Sequence, residues 1–239
     1  NFSFNADEVL DLINEKTRLL IINNPQNPTG GLIEKSEINK LVNGLKKFPQ
    51  VVIFSDEIYS RQIYDGKSMP SFFYYPELYN RLIVMDGWSK TYAMTGWRLG
   101  WSVWPKNLIE KVTKMAINSY SCVSSANQVA ALTALEGSHE FLNDMMKKFD
   151  KRRNLIVDGL NSLPGIKCNK PGGAFYVFPN ISETGMTGDV FSEKCLFDAG
   201  VAIVPGTSFG QSCSNFARFS FANSYENIEK ALEKIKKIL

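Results

Sequence analysis

The sequence of 239 residues predicts an α/β protein with a largely parallel sheet, followed by a smaller α+β domain. In the first part of the chain, short apolar runs alternate with helical patterns, which is the order found in open α/β sheets. Beyond about residue 140, short strands and helices follow one another in an α+β order. We therefore expect a large domain over residues 1–140 and a small domain over residues 141–239.

Three short apolar runs predict the parallel strands of the large domain. They cover residues 19–22, 51–54 and 82–85, and each one ends in polar residues. By composition the first is a buried strand. A helix over residues 34–48 follows it, with one apolar face formed by Ile38, Leu41, Val42 and Leu45. Open α/β sheets place their sites at the carboxyl ends of strands, so we expect the chemistry at these polar ends.

Helical and extended patterns continue to the end of the chain. Pro105 marks a helix start, and helices are predicted over residues 106–117, 125–136 and 140–163. In the small domain the patterns predict a strand, a helix and two further strands, over residues 173–178, 189–199, 201–204 and 216–221. The terminal helix is expected to turn one apolar face inward, formed by Ile228, Leu232, Ile235 and Leu239.

Composition excludes several classes of function. A net charge of +3 and a pI of about 8.6 are too small a basic excess to indicate a nucleic-acid partner. No apolar run approaches the ~20 residues that span a bilayer. The four cysteines form no C-x-x-C pair and His139 is the only histidine, so we predict no metal site, and free thiols in a reducing, cytoplasmic compartment. The chain starts at Asn1, and we expect it to be cut from a longer protein.

Unusual polar clusters follow the predicted strands of the large domain. The first, N-P-Q-N-P-T-G-G over residues 24–31, is by itself a Pro/Gly turn. In the second, S-D-E-I-Y over residues 55–59, the acids are either helix caps or ligands for a cationic group. The third covers residues 86–98 and places Lys90 just past a strand, with Arg98 eight residues later. A lone lysine there is usually surface charge, but the order and spacing of all three clusters are specific.

Together, these clusters resemble the signature of the fold-type I, pyridoxal-phosphate-dependent aminotransferases, in the branch with many aspartate and aromatic aminotransferases. The matching stretches are N-P-T-G, D-E-I-Y, S-K-T-Y-A-M-T-G-W-R-L-G and, near the end, R-F-S-F-A. The resemblance covers nearly all 239 residues. It implies a three-layer aminotransferase-like large domain, here incomplete, with a small α+β domain. It also implies a class I/II aminotransferase of amino acid metabolism, a homodimer, which acts on an amino acid and a 2-oxo acid.

The resemblance also implies which residues bind the cofactor, pyridoxal 5'-phosphate. Lys90 would be the catalytic lysine that bonds to it as a Schiff base. Asp56 would be the partner of the pyridinium nitrogen, because a carboxylate in contact keeps this nitrogen protonated. Tyr59 and Asn27 would be the partners of the ring hydroxyl oxygen.

Further roles follow from the same resemblance. Ser89 and Arg98 would bind the cofactor phosphate, while Asn27 and Arg218 would bind the substrate, Arg218 through its α-carboxylate. Many members carry a serine three residues before the lysine, where this chain has Gly87. The family's earlier part, with a phosphate-binding helix N-terminus and an aromatic residue that stacks on the ring, is not found in this sequence.

Three other functions stay open at this point. A carbon–sulfur lyase on the same scaffold would use the same lysine. A regulator would join an aminotransferase-like domain to a DNA-binding helix-turn-helix, of which this sequence shows no sign. An inactive, truncated remnant would keep the residues without the activity.

Overall fold

A computed structural model describes residues 2–239, which divide into two compact units. The N-terminal unit comprises residues 3–25 and 32–142. The C-terminal unit comprises residue 2, the short segment 26–31 and residues 143–239. The domain boundary predicted near residue 140 stays a prediction.

A four-stranded mixed sheet forms the centre of the N-terminal unit. Its strands are β1 (Leu19–Asn23), β2 (Val52–Asp56), β3 (Leu82–Gly87) and β4 (Gly100–Val103), in the order β1-β2-β3-β4. The first three are parallel and β4 is antiparallel to β3. Asn23 pairs with Asp56, and Asp56 pairs with Met85, so the three parallel strands end at one edge of the sheet. The predicted α/β class with a mostly parallel sheet is confirmed.

The helices of this unit are α1 (Ala6–Leu12), α2 (Lys35–Gly44), α3 (Trp88–Thr91), α4 (Ile109–Tyr120) and α5 (Ser125–Glu136). The apolar face predicted over residues 34–48 is buried, because Ile38, Leu41 and Leu45 are fully covered and Val42 nearly so. It packs into one hydrophobic cluster with residues of the sheet, among them Ile53 and Val84. Burial of such side chains stabilises the fold by about 1.5–3 kcal/mol each.

Two expectations for this unit are wrong. The run 19–22 is not a buried strand: Leu19 is 48% and Ile21 65% exposed, and only Ile22 is buried. The reason is that Leu19 and Ile21 lie on the same face of β1, which no segment among residues 2–239 covers, whereas Ile22 lies on the other face. The helix predicted to start after Pro105 begins at Ile109, because Pro105 closes a turn in which the Leu108 amide donates to its carbonyl at 2.9 Å.

The C-terminal unit contains a small antiparallel sheet and three longer helices. Its elements are α6 (Glu140–Asn161, which starts in the N-terminal unit), β5 (Tyr176–Val177), α7 (Gly188–Ala199), β6 (Val204–Pro205), β7 (Ala217–Ser220) and α8 (Tyr225–Lys236). The strand order is β5-β7-β6, with β7 antiparallel to both neighbours. The α+β character predicted for this part of the chain follows from these elements.

Some bounds in the C-terminal unit differ from those predicted. The strands expected over residues 173–178 and 201–204 are only two residues long, because each pairs with β7 over two positions. Ile228 and Ile235 face inward as expected, at 4% and 1% exposure. Leu239 does not, because α8 ends at Lys236 and Leu239 is 37% exposed. No helix among residues 2–239 is long and apolar enough to cross a membrane.

Candidate active site

Asp56 lies at the carboxyl end of β2, half-buried and without an ion pair among residues 2–239. Its Oδ1 accepts a hydrogen bond from the Ile58 amide at 3.2 Å. Its carbonyl accepts one from the Asn24 amide at 3.1 Å, which ties it to the end of β1. Burial raises the pKa of this carboxyl, and the bond from Ile58 lowers it by a smaller amount. A carboxyl in this state favours a cationic partner, since a nearby positive charge would stabilise its ionised form.

The neighbouring acid, Glu57, has a different environment. It is 5% exposed and accepts hydrogen bonds from the hydroxyls of Ser55 at 2.8 Å and Ser71 at 3.0 Å. Burial raises its pKa, and these hydrogen bonds lower it in part. Glu57 therefore holds the segment around Ser71 against the end of β2, and its oxygens are engaged within the protein.

Tyr59 lies on the turn that follows β2. The turn is closed by the Ser60 amide, which donates to the Glu57 carbonyl, and by the Gln62 amide, which donates to the Tyr59 carbonyl, each at 2.8 Å. Tyr59 is 4% exposed. The aromatic ring is thus fixed beside the strand end that carries Asp56.

Lys90 lies three residues past β3, on the single helical turn α3, and is half-buried. Trp88 anchors this turn, because its buried indole donates from Nε1 to the Ala131 carbonyl at 3.1 Å. The helix ends at once: Ala93 has a left-handed backbone with φ of 51°. Since β2 and β3 are adjacent and parallel, Lys90, Asp56 and Tyr59 follow neighbouring strand ends at the same edge of the sheet.

Arg98 and Ser89 lie at this same end, because β4 returns antiparallel to β3 and the Trp88 amide donates to the Leu99 carbonyl at 3.3 Å. Arg98 is exposed, has a left-handed backbone with φ of 54°, and donates from Nη1 to the Thr95 carbonyl at 2.9 Å. It lines a cleft of about 650 Å³ within the N-terminal unit. Asp56, Tyr59 and Lys90 do not line this cleft.

Gly87 stands where many proteins of the family that the sequence resembles carry a serine. It has a steric reason to be glycine. It faces Gly100 across the β3–β4 pair. A Cβ atom at Gly87 would lie 2.8 Å from the Leu99 carbonyl oxygen and 3.1 Å from the Gly100 Cα, both backbone atoms. A serine here would require the two strands to move apart.

A second group of predicted residues lies in the C-terminal unit. Arg218, on β7, donates from Nη1 to the Asn27 side-chain oxygen at 2.8 Å. Its guanidinium lies over the rings of Tyr176 and Phe209, at 4.5 Å and 5.0 Å from their centroids. These contacts fix the orientation of a planar cation that can bind a carboxylate by two parallel hydrogen bonds.

The N-P-T-G segment that carries Asn27 is held by backbone contacts. The Gly30 carbonyl accepts from the amides of Gly172 and Gly173 at 2.9 Å and 3.0 Å. Gly30 has φ of 67°, and a Cβ atom there would lie 2.3 Å from the Cβ of Pro171. Glycine is required at this position because no larger residue fits against Pro171 in this backbone conformation.

The structure thus brings the predicted site residues into two groups. Five follow the strand ends of the N-terminal unit: Asp56, Tyr59, Ser89, Lys90 and Arg98. Asn27 and Arg218 contact each other in the C-terminal unit. Sequence reasoning missed the rings of Tyr176 and Phe209, because nothing local in their segments indicates that an arginine at position 218 lies between them.

A mixed, mostly parallel sheet with helices, followed by a small antiparallel sheet with helices, places the chain in the α/β class. The chain belongs to the aminotransferase class I and II family, whose model matches residues 1–235. An aspartate aminotransferase of Pyrococcus abyssi is 40% identical over 240 residues, which cover 100% of this chain and 61% of that protein. An aromatic-amino-acid aminotransferase 2 of Thermococcus litoralis is 38% identical, with the same coverage of 100% and 61%.

A solved aminotransferase structure has the same fold as this chain. The aromatic aminotransferase from Pyrococcus horikoshii OT3 superposes with a TM-score of 0.95 and 38% identity, over 100% of this chain and 64% of that chain. The present chain therefore spans about 61% of the length of the curated relatives it matches.

Proposed function

We propose that the protein is a pyridoxal 5'-phosphate-dependent aminotransferase that moves an amino group between an amino acid and a 2-oxo acid. The observation that carries this proposal is the Lys90 turn beside Asp56, a half-buried carboxyl with a raised pKa and no ion pair among residues 2–239. Membership of the aminotransferase class I and II family supports it.

The residues of the N-terminal unit fit this cofactor. When bound, pyridoxal phosphate supplies an electron-withdrawing ring that stabilises negative charge at the substrate α-carbon, provided that its ring nitrogen is protonated. Asp56 would keep the ring nitrogen protonated, because an ionised carboxylate raises the pKa of a nitrogen base in contact with it. Its own raised pKa shows that burial disfavours the unpaired charge, which a cation would relieve. Tyr59 would donate a hydrogen bond to the ring hydroxyl oxygen. Asn27, which belongs to the C-terminal unit, would donate another through its amide nitrogen.

Lys90 would have two tasks. Its amine would hold the cofactor by a covalent bond, and once a substrate amine has taken its place there, the freed Lys90 amine would accept the proton that leaves the substrate α-carbon. The short α3 turn supports this role, because it places the base of the side chain on a segment anchored by Trp88. Ser89 and Arg98 would hold the phosphate, and the exposed Arg98 guanidinium offers the planar fork that suits this anion.

Arg218 would bind the α-carboxylate of the substrate. The bond to Asn27 and the two aromatic contacts leave it oriented before any ligand arrives, which reduces the cost of ordering on binding. The relatives reported above are named for aspartate and for aromatic amino acids, so their names do not choose one amino acid for this chain. We therefore propose the substrate class only: an amino acid and a 2-oxo acid.

A homodimer and a cytoplasmic location are part of the same proposal. The cysteines are free, and burial raises the pKa of Cys168 and Cys195 to about 12, so both thiols stay protonated. Free cysteines are usual in a reducing compartment. The family resemblance is what supports the dimer.

The test is to trap the cofactor on the natural, full-length protein. Borohydride reduction fixes the bond between a lysine amine and the cofactor, and peptide mapping then identifies the lysine. We expect the label on Lys90, loss of the label and of turnover in Lys90→Ala, and no change in the control Lys67→Ala. Lys67 is a half-exposed partner of Glu34, in an ion pair that contributes little.

The products distinguish the other functions. A 2-oxo acid formed in step with an amino acid supports transamination, whereas release of ammonia and a thiol from a cysteine-like substrate would indicate a lyase. Label on another lysine would overturn the assignment of Lys90. No label and no turnover in the full-length protein would indicate an inactive remnant.

A further inference from the structure

Gln62 is a buried polar residue that has no role in the proposed reaction as described above. It is 1% exposed, and its side-chain Nε2 donates to the Lys90 carbonyl oxygen at 3.2 Å, across 28 residues of sequence. Its Oε1 is buried and has no hydrogen-bond partner among residues 2–239. An apolar side chain of the same size would fill this position without an unpaired oxygen. The bond to Lys90 is therefore what the amide group provides.

The Lys90 turn has few bonds of its own. The helix α3 contains four residues, and most of its backbone bonds end on one carbonyl, since the Tyr92 and Met94 amides both donate to the Trp88 carbonyl, at 3.1 Å and 3.2 Å. The Lys90 carbonyl accepts from the Ala93 amide at 3.3 Å, which is long for such a bond, and Ala93 turns the chain away through a left-handed conformation. Gln62 gives this carbonyl a side-chain donor from a different segment.

A second side-chain bond joins the same two segments. The Ser60 hydroxyl donates to Oδ2 of Asp86 at 2.8 Å, and Oδ1 of Asp86 accepts from the Gly87 amide at 2.6 Å. Ser60 follows Tyr59 directly, and Asp86 lies at the end of β3, four residues before Lys90. Both ends of the segment 86–90 are thus hydrogen-bonded to the turn 57–62, Asp86 through Ser60 and Lys90 through Gln62.

We propose that Gln62 and Ser60 are positioning residues, which hold the Lys90 turn in a fixed place relative to Tyr59. The proposal rests on the proposed function, in which Lys90 bonds to the cofactor and Tyr59 contacts its ring. Neither Gln62 nor Ser60 is among the residues assigned above to the cofactor or the substrate. They fix the peptide from which the Lys90 side chain starts, so that its amine returns to one position after the substrate has displaced it.

The test compares Gln62→Met, Ser60→Ala and the double variant in the cofactor-free, full-length protein. Methionine keeps the length and apolar volume but removes the donor. Gln128→Met is the matched control, because Gln128 also donates from Nε2 to a backbone carbonyl, that of Val123 at 2.9 Å. We expect hydrogen–deuterium exchange of the amides of residues 90–94 to become roughly tenfold faster in Gln62→Met, as expected for the loss of one hydrogen bond, and faster still in the double variant. In Gln128→Met these amides should exchange at the native rate.

Kinetics of the cofactor-loaded protein give a second readout. The variants should lower kcat with little change in the KM for the amino acid, and Ser60→Thr, which keeps the hydroxyl, should restore most of the loss at that site. Exchange at residues 90–94 that is unchanged in the double variant would overturn the proposal, even where borohydride still labels Lys90. Label on another lysine would instead overturn the proposed function. If Gln62→Met does not fold, Ser60→Ala alone decides the exchange test.

Discussion

Replacement of Gly30 by alanine tests whether the N-P-T-G segment is held as tightly as the contacts around it indicate. Gly30 and Gly66 share the same backbone conformation, with φ of 67° at both. They differ in their surroundings: a Cβ atom at Gly30 would lie 2.3 Å from the Pro171 Cβ and 2.9 Å from the Gly173 carbonyl oxygen, whereas at Gly66 nothing lies within 4 Å. Gly66→Ala is therefore a control that carries only the backbone cost.

The magnitudes follow from these two environments. A left-handed backbone costs an alanine about 1–2 kcal/mol, and this applies to both variants. Steric overpacking adds about 1–3 kcal/mol, and this applies to Gly30 only. We expect a loss in the free energy of unfolding of roughly 2–5 kcal/mol for Gly30→Ala, from the sum of the two terms, and of about 1–2 kcal/mol for Gly66→Ala.

Chemical denaturation of the full-length protein measures both losses under the same conditions. Because Asn27 lies three residues before Gly30 and contacts Arg218, Gly30→Ala should also raise the KM for the amino acid, whereas Gly66→Ala should not. Equal stability losses for the two variants would refute the reasoning, since they would mean that Pro171 does not press on this position.

Two further predictions concern charged groups. Arg218→Ala should lower kcat/KM for an amino acid by roughly 30-fold to 4,000-fold, since loss of one partner of a buried charge pair costs about 2–5 kcal/mol and each ~1.4 kcal/mol is a factor of ten. It should affect the decarboxylated amine much less; Arg152→Ala is the control, because Arg152 also stacks on an aromatic ring, at 5.7 Å from the Phe149 centroid. Asp56→Asn should nearly stop turnover and yet stabilise the cofactor-free protein increasingly as the pH rises above about 4, the ordinary value for aspartate. Burial raises the pKa of Asp56 in the folded state, so the stability that Asp56 contributes is complete below its unfolded pKa and is lost as the pH rises through its folded pKa. Thermal unfolding of both proteins across this pH range is the measurement. A variant that is no more stable than the native protein at neutral pH would contradict the prediction.

Periodicity predicted the parts of the fold that depend on local pattern. The face of Ile38, Leu41 and Leu45 is buried as expected, and α5 has the bounds that the sequence predicted. The polar residues at strand ends were also predictable, because parallel neighbours place their carboxyl ends at one edge. Asn23 at the end of β1 pairs with Asp56 at the end of β2, as this rule predicts.

The pattern could not predict what covers an apolar face. Leu19 and Ile21 have the composition of a buried strand, but no segment among residues 2–239 covers their face of β1, and both side chains are largely exposed. Gln62 shows the converse, since a single polar residue in a turn gives no local signal that it will be buried against a carbonyl 28 residues away. In both cases the outcome depends on contacts made by distant segments.

The acid at the end of β2 and the acid that follows it have different environments, although the sequence left open whether either is a helix cap or a ligand for a cationic group. Side chains alternate along a strand, so Ser55 and Glu57 share one face and Asp56 lies on the other. Glu57 receives bonds from two serine hydroxyls and therefore serves the fold. Asp56 receives one backbone amide and no cation among residues 2–239. Burial raises the pKa of both, but only for Asp56 would a bound cation supply the missing partner, which supports the proposal that Asp56, and not its neighbour, is the partner of the cofactor's ring nitrogen.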